Sequence, residues 1–314
     1  NLPGVKVSMP SITDKDRRDI ALGIELGVDF IALSFVRERK DVDELRELLR
    51  QHNSDIRIIS KIEDQQAVQN LTDLVEVSDG IMVARGDLAV EVGNAAVPAL
   101  QKRMITLARN MDKVVITATQ MMESMINNPV PTRAEVSDVA NAVLDGTDAV
   151  MTSAETAAGK YPLETVREMV AICTAAEAAE RVELDADFSE RQFTRIDQTI
   201  AMGALFTAHH LGAKALVALT DSGSTALWMS RHRIHIPIYA LTSKRSTQRK
   251  MALYRNVRPL LMDTSADRDT ALKQAEADLK SRGLVRSGDI YAITCGEPMG
   301  SPGGTNMLKI CRVE

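Results

Sequence analysis

IRIISKIED (residues 56–64) and GIMVARGDL (80–88) decide the fold. Each is a short run of Ile, Val and Met with little polar alternation, which suits a strand buried on both faces of a parallel sheet. Each turns polar at its C-terminal end, at Lys61 and Glu63 in the first and at Arg85 and Asp87 in the second. FIALSFV (30–36), VVITATQ (114–120) and AVMTSAET (149–156) follow the same design and end in Ser34, in Thr119 and Gln120, and in Ser153 and Glu155. Between them, Asp14–Leu26, Asp41–Gln51, Val97–Arg109, Ala134–Leu144 and Pro162–Glu180 carry apolar residues at helical spacing. A strand followed by a helix, repeated, reads as successive βα units with right-handed crossovers. In a (β/α)8 barrel the C-terminal strand ends converge on one mouth, where the active site is built. An open doubly wound sheet is the alternative, and it also places ligands at the C-terminal ends. Five strands do not close an eight-stranded barrel, so residues 1–180 are expected to form part of one.

From Arg181 onward a second α/β pattern is expected, separate from the first and with its own core, so the chain divides into 1–180 and 181–314. A polar stretch (183–192) leads to a helical run at Ile196–Leu211, then to ALVALT (215–220), IPIYALT (236–242), VRPLLMD (257–263) and DIYAIT (289–294), with helical runs from Ser246 and over Ala266–Arg282. A length of 314 residues suits two such domains. A net charge of −5 and an aromatic content of 3% argue against nucleic acid and anionic membranes as partners. No run is long and apolar enough to cross a bilayer. Cys173, Cys295 and Cys311 lack metal or redox spacing, and an odd count makes a poor disulfide framework, so a reducing cytoplasm is the expected location. The chain opens at Asn1-Leu2-Pro3-Gly4 without Met, which reads as an interior starting point.

The strand ends offer a specific chemistry. Glu63 and Asp87, from adjacent strands, are the carboxylate pair that Mg2+ or Mn2+ takes when substrate oxygens and water complete its shell. Lys61 is expected to lie near the opposite face of its strand, with an irregular turn aiming it at the mouth, where an ammonium neutralises charge on a phosphoryl group or an enolate. The alternative is a structural Lys61–Glu63 ion pair. The Gly86 and Asp87 amides, expected in a loop, can bind a carboxylate or phosphate. The Thr119 hydroxyl can hold a carboxylate or relay a proton, and Ser153 with Glu155 can pass a proton through water; Ser153 equally suits a helix N-cap. Thr132 and Glu135 read as a capping box. Neither a P-loop nor a GxGxxG fingerprint is present, and the histidines lack zinc spacing. In the second half, Thr220, Ser222, Gly223, Ser224 and Thr225 form a hydroxyl- and amide-rich turn suited to phosphate, with Lys244 and Arg245 nearby and the Gly-rich stretch 296–305 able to fold over a ligand. A plain tight turn is the alternative.

NLPG near the start, SKIED, DGIMVARGDLAVE, ITATQMMESM and PTRAEVSDVANAVLDGTDAVMTSAETAAGKYP resemble, in order and spacing, the pyruvate kinase family; residues 190–314 resemble its C-terminal regulatory domain more loosely. The resemblance implies the last five strands of a TIM barrel followed by a three-layer α/β domain. It implies phosphoryl transfer from phosphoenolpyruvate to ADP in the last step of glycolysis. Lys61 resembles the transition-state-stabilising lysine, Glu63 and Asp87 the divalent-metal ligands, Gly86, Asp87 and Thr119 the carboxylate-binding positions, and Thr119 and Ser153 the proton relay. Residues 220–225 resemble the site for a phosphorylated effector in an allosteric homotetramer. K+ is implied too, with ligands outside these residues, as are the family's phosphate-binding arginine, first strands and lid. Ala89 replaces a glycine, Thr152 a leucine and Asp221 a lysine of the family pattern. A metal-dependent lyase or aldolase acting on a pyruvate enolate is the alternative enzyme. For this chain by itself, an inactive fragment that keeps effector binding is the alternative.

Overall fold

The computed structural model describes residues 11–182, 184, 193–263, 267–299 and 303–314. Expectations placed on NLPG, on most of the polar stretch 183–192 and on residues 300–302 of the Gly-rich stretch lie outside the described residues. Contacts divide the chain into two compact units between Ala179 and Glu180.

In the first unit β1 (Phe30–Leu33), β2 (Arg57–Ile62), β3 (Gly80–Ala84), β4 (Val114–Ala118) and β5 (Ala149–Met151) pair in the order β1-β2-β3-β4-β5. Every pairing is parallel. The order follows the chain without the reversal that defines a doubly wound sheet, so this is a stretch of barrel wall. Alternate residues divide the two faces. Leu33, Ile58, Ile62, Ile81, Val83 and Val115 face the helices and pack with Val42, Leu45, Leu49, Leu74 and Ile105. Ile59, Met82 and Ala118 pack on the other face, with Phe30, Ile116 and Met151 against them.

The helices begin and end where local chemistry says they should. Thr13 caps Asp14–Leu26 in a capping box with Asp16, and Gly27 ends that helix in the left-handed region at φ 66°. The expected Thr132–Glu135 box starts Arg133–Asp145, which ends at Gly146 with φ 100°. The helix expected from Asp41 begins instead at Arg39. Asp41 sits within its first turn, where Oδ2 accepts the Arg37 and Glu38 amides at 2.9 and 3.1 Å. Two short helices, Gln65–Gln69 and Leu71–Val77, fill the connection to β3, and Asp64 caps the first through the Ala67 amide at 2.7 Å. ARGD, expected as a loop, is the start of helix Arg85–Val92.

In the second unit β6 (Ala215–Leu219), β7 (Ile238–Thr242), β8 (Val257–Leu261), β9 (Ile290–Gly296) and β10 (Thr305–Arg312) pair in the order β10-β9-β6-β7-β8. Only β10 runs antiparallel. Here the order does reverse, between β6 and β9, which makes a topological switch point. Val217, Leu219, Leu241 and Ile293 pack with Ala271, Leu272, Ala275 and Leu279 of the helix Arg268–Ser281. Helix Ile196–His210 contacts β6, β9 and β10 and carries His209 and His210 in its last turn, a position that favours positive charge.

Candidate active site at the strand ends

Lys61 and Glu63 are two residues apart and therefore share a face, so no irregular turn is needed to bring the lysine to the mouth. Lys61 Nζ lies 2.5 Å from Glu63 Oε1 and donates to Ser34 Oγ at 2.9 Å. Glu63 is 3% exposed, and its Oε2 accepts the Phe35 amide at 2.8 Å. Phe35 reaches this position with φ 56°, so the chain kinks sharply on leaving β1. The register pairs Ile62 with Val83, so Glu63 and the helix that carries Asp87 leave the sheet side by side.

At the next strand end Ala84 pairs with Ala118, both fully buried. Helix Arg85–Val92 starts there, and the amides of its first turn have no partner within the helix. The Gly86 amide donates to Thr119 Oγ1 at 2.7 Å, and that hydroxyl donates to the Ala118 carbonyl at 2.7 Å. A hydroxyl has one proton and two lone pairs, so one acceptor position on Thr119 remains. Thr119 and Gln120 have φ of 68° and 52°. That conformation is rare for non-glycine residues, is an outlier for a β-branched one, and costs on the order of 1–3 kcal/mol each. Such strain concentrates where a side chain must be aimed.

Ser153 occupies the N-cap of Ala154–Ala157, but its side chain makes no capping bond. Glu155 is 2% exposed, and its oxygens accept the Met122 amide at 3.1 Å and the Ser153 amide at 2.5 Å. Glu155 therefore ties the exits of β4 and β5 together by accepting both backbone amides. The Thr152 hydroxyl, which replaces an expected packing residue, pairs with Thr156 Oγ1 at 2.9 Å.

A divalent cation fits this donor set only in part. The Glu63 oxygens, already partnered, keep further lone pairs, and Asp87 lies in the first turn of the helix Arg85–Val92. Among the described residues no group of three or more Asp, Glu, His or Cys side chains comes together to hold a metal. A site of two carboxylates would suit Mg2+, which keeps substrate and water ligands.

Sequence reasoning missed what Arg85 does. This buried guanidinium donates to the Thr119 carbonyl from Nη2 at 2.8 Å, to the Gln120 carbonyl at 3.2 Å, and to Asp138 from Nη1 at 2.7 Å. The available signal was a lone arginine at the end of an otherwise apolar run.

In the second unit the 220–225 turn lies at the switch point, beside a shallow open crevice lined by Thr220, Asp221, Ser222, Ser224, Gly296, Met299 and Thr305. Thr220 Oγ1 accepts the Gly223 amide at 2.9 Å. Gly223 has φ 84°, and a Cβ there would meet Met251 Cγ at 2.9 Å, so glycine is required. Thr225 is buried and shares its hydroxyl with Thr305 Oγ1 at 2.8 Å, while Lys244 pairs with Asp221 at 2.7 Å. The Lys244 charge is thus directed at a neighbouring carboxylate.

Among the described residues no helix is long and apolar enough to cross a membrane. The family description "Pyruvate kinase, barrel domain" matches residues 1–166, and "Pyruvate kinase, alpha/beta domain" matches residues 198–311. Proteins named pyruvate kinase from Staphylococcus epidermidis and Staphylococcus aureus are 47% identical over 311 residues, which is 99% of this chain and 53% of each relative. The chain thus spans about half the length of the curated relatives it matches.

Proposed function

This chain belongs to the pyruvate kinase family, and from that premise we propose that the protein transfers the phosphoryl group of phosphoenolpyruvate to ADP, giving pyruvate and ATP. The observation that carries the reading is the Lys61 ammonium, held by Ser34 Oγ and Glu63 at the C-terminal end of a parallel barrel wall. A fixed, compact positive charge at that position offsets the charge on a transferring phosphoryl group and on the enolate left behind.

Glu63 and Asp87 are the residues that would hold Mg2+ or Mn2+, which when bound supplies polarisation of the substrate oxygens. Thr119 orients the substrate carboxylate. Its hydroxyl is fixed on one side by the Gly86 amide, and rotation about Cβ–Oγ moves its proton from the Ala118 carbonyl to the ligand. The Ser153 hydroxyl, not used as a cap, passes a proton toward the enolate carbon. The crevice at 220–225 takes a phosphorylated effector through the Thr220, Ser222 and Ser224 hydroxyls and the turn amides, with a cationic contribution reduced by the Asp221–Lys244 pair. The K+ requirement, the homotetramer, the cytoplasmic location and the place in glycolysis rest on family membership alone.

The test is pyruvate release from phosphoenolpyruvate by the full-length protein, with ADP and Mg2+ each present and each omitted. Dependence on both is expected. Pyruvate formed equally well without ADP would overturn the kinase reading in favour of a lyase-type enzyme.

A further inference from the structure

We propose that Arg85 is a positioning residue that holds Thr119 in its substrate-facing conformation; the substrate half of this statement rests on the function proposed above. The backbone after β4 does something unfavourable. Thr119 and Gln120 both sit in the left-handed region, at φ 68° and 52°, and neither is glycine. Two consecutive residues of this kind persist only where the surroundings outweigh their cost.

Arg85 supplies that surrounding. The side chain is 8% exposed, and two of its three guanidinium nitrogens, Nε and Nη2, donate to this one turn. Nε and Nη2 both donate to the Thr119 carbonyl, at 3.2 and 2.8 Å, and Nη2 also reaches the Gln120 carbonyl at 3.2 Å. Met121 Sδ lies 2.8 Å from Nη2. On the far side, Nη1 lies 2.7 Å from both oxygens of Asp138, which belongs to the helix Arg133–Asp145. The planar fork with fixed donor directions is what this contact uses, and a lysine ammonium does not reproduce it.

The next residue in the chain completes the grip. The Gly86 amide donates to Thr119 Oγ1 at 2.7 Å. Residue 119 is therefore held twice by one dipeptide, its carbonyl by the Arg85 side chain and its hydroxyl by the Gly86 backbone. A chain segment 34 residues away in sequence fixes both the backbone and the side chain of the proposed carboxylate ligand.

The experiment uses the exchange rate of the Gly86 amide proton, which reports on the Thr119 hydroxyl directly and needs no substrate. Arg85→Lys is expected to raise that rate by about tenfold, the scale of one left-handed residue released. Adding Gln120→Gly to Arg85→Lys is expected to recover most of the protection, because glycine adopts φ > 0 without the arginine's help. A residue that merely filled space would show no such rescue. Asp138→Asn is the milder variant if Arg85→Lys does not fold, and a rise of about threefold is expected because one charge-assisted contact weakens. Gly86 exchange unchanged in the folded variants, or a rise that Gln120→Gly does not reverse, would overturn the proposal. In the full-length protein, KM for phosphoenolpyruvate is expected to rise with Arg85→Lys and to fall again with Gln120→Gly. Exchange that responds while KM does not would support the clamp and refute the substrate role of Thr119.

Discussion

Lys61 Nζ and Glu63 Oε1 stand 2.5 Å apart at the end of one strand, with Glu63 3% exposed and the Lys61 side chain 24% exposed. The carboxylate is therefore shared between an ammonium, the Phe35 amide and, in the proposed reaction, a metal ion. Replacing Lys61 with Met removes the positive charge from the mouth but leaves the Glu63 oxygens for a cation. kcat for phosphoryl transfer is expected to fall by about 10²–10³-fold. Mn2+ binding, followed by electron paramagnetic resonance, is expected to persist. Because the lysine is partly solvated, the fold should lose about 1–3 kcal/mol, less than for a wholly buried broken pair. Turnover by Lys61→Met at the parent rate would remove Lys61 from the chemistry.

Glu135 is more than a helix cap. Its carboxylate closes the capping box with the Thr132 amide at 2.8 Å and also accepts the Ser124 amide at 2.7 Å and the Ser124 hydroxyl at 2.5 Å. Partial burial opposes ionisation, but the bonds from Ser124 and Thr132 outweigh it and hold the carboxyl below its ordinary 4.5. A depressed carboxyl pKa gives stability that is present above the unfolded value and is lost as pH falls through the folded one. Thermal melts of the parent chain should therefore drop below pH 4.5, and Glu135→Gln should show a weaker acid dependence. At neutral pH the Gln variant should lose about 1 kcal/mol, the scale of a lost cap. Equal acid dependence in the two proteins would show that Glu135 does not anchor this turn.

The barrel wall was readable because its strands are buried on both faces and turn polar only at one end. That Lys61, Glu63 and Ser34 stand at strand ends was readable for the same reason, but the face of Lys61 was misread: it lies on the Glu63 side, within reach of Ser34, without an irregular turn. Gln65–Val77 was not, because two short helices meeting at Asn70 lack the length to develop a clear apolar stripe. The left-handed turn at Thr119 was invisible, since a β-branched residue carries no local sign of positive φ; the cause lies in Arg85, far away in sequence. The bridge that Glu155 makes between two strand exits was not readable, because residue type alone does not say which backbone amides a carboxylate accepts.

Gly159 in SAETAAGK has a packing reason to be glycine and no phosphate-binding one. A Cβ there would lie 2.4 Å from the Glu155 carbonyl oxygen and 3.2 Å from Ile126 Cα. Both contacts are backbone, so neither can swing aside. Lys160, the next residue, donates its amide to the Ile126 carbonyl at 2.9 Å, which fixes the approach. Gly159→Ala should destabilise the chain by about 1–3 kcal/mol in urea titrations, the usual cost of overpacking. Because the same segment carries the Glu155 bridge to Ser153, the variant should also disturb the Ser153 amide resonance. An alanine variant with the parent midpoint would mean the loop has room that the structure denies it.

The two units should answer alkali with opposite signs. In the second unit, burial raises the Cys295 thiol above its ordinary 9.0, and burial together with the hydrogen bond to Glu276 raises the Tyr291 phenol well above 10.0. Both groups keep their protons longer in the folded unit than in the unfolded chain. Their contribution is therefore complete below the ordinary values and is lost as pH climbs past about 9 and then 10, by about 1.4 kcal/mol per pH unit for each proton released on unfolding. In the first unit, burial lowers the Lys113 ammonium below 10.5, so it releases its proton earlier when folded, and stability there rises as pH approaches that value. The chain has one tryptophan, Trp228, which lies in the second unit under the Arg195 guanidinium at 5.1 Å. Its fluorescence isolates the second unit during urea unfolding. The Trp228 midpoint is expected to fall between pH 8.5 and 10.5, and Cys295→Ala should flatten the first part of that fall. Amide exchange in β3 and β4 of the first unit should slow, relative to the intrinsic rate, over the same range. A Trp228 midpoint that stays level across it would mean that Cys295 and Tyr291 ionise within the folded unit as readily as they do in water.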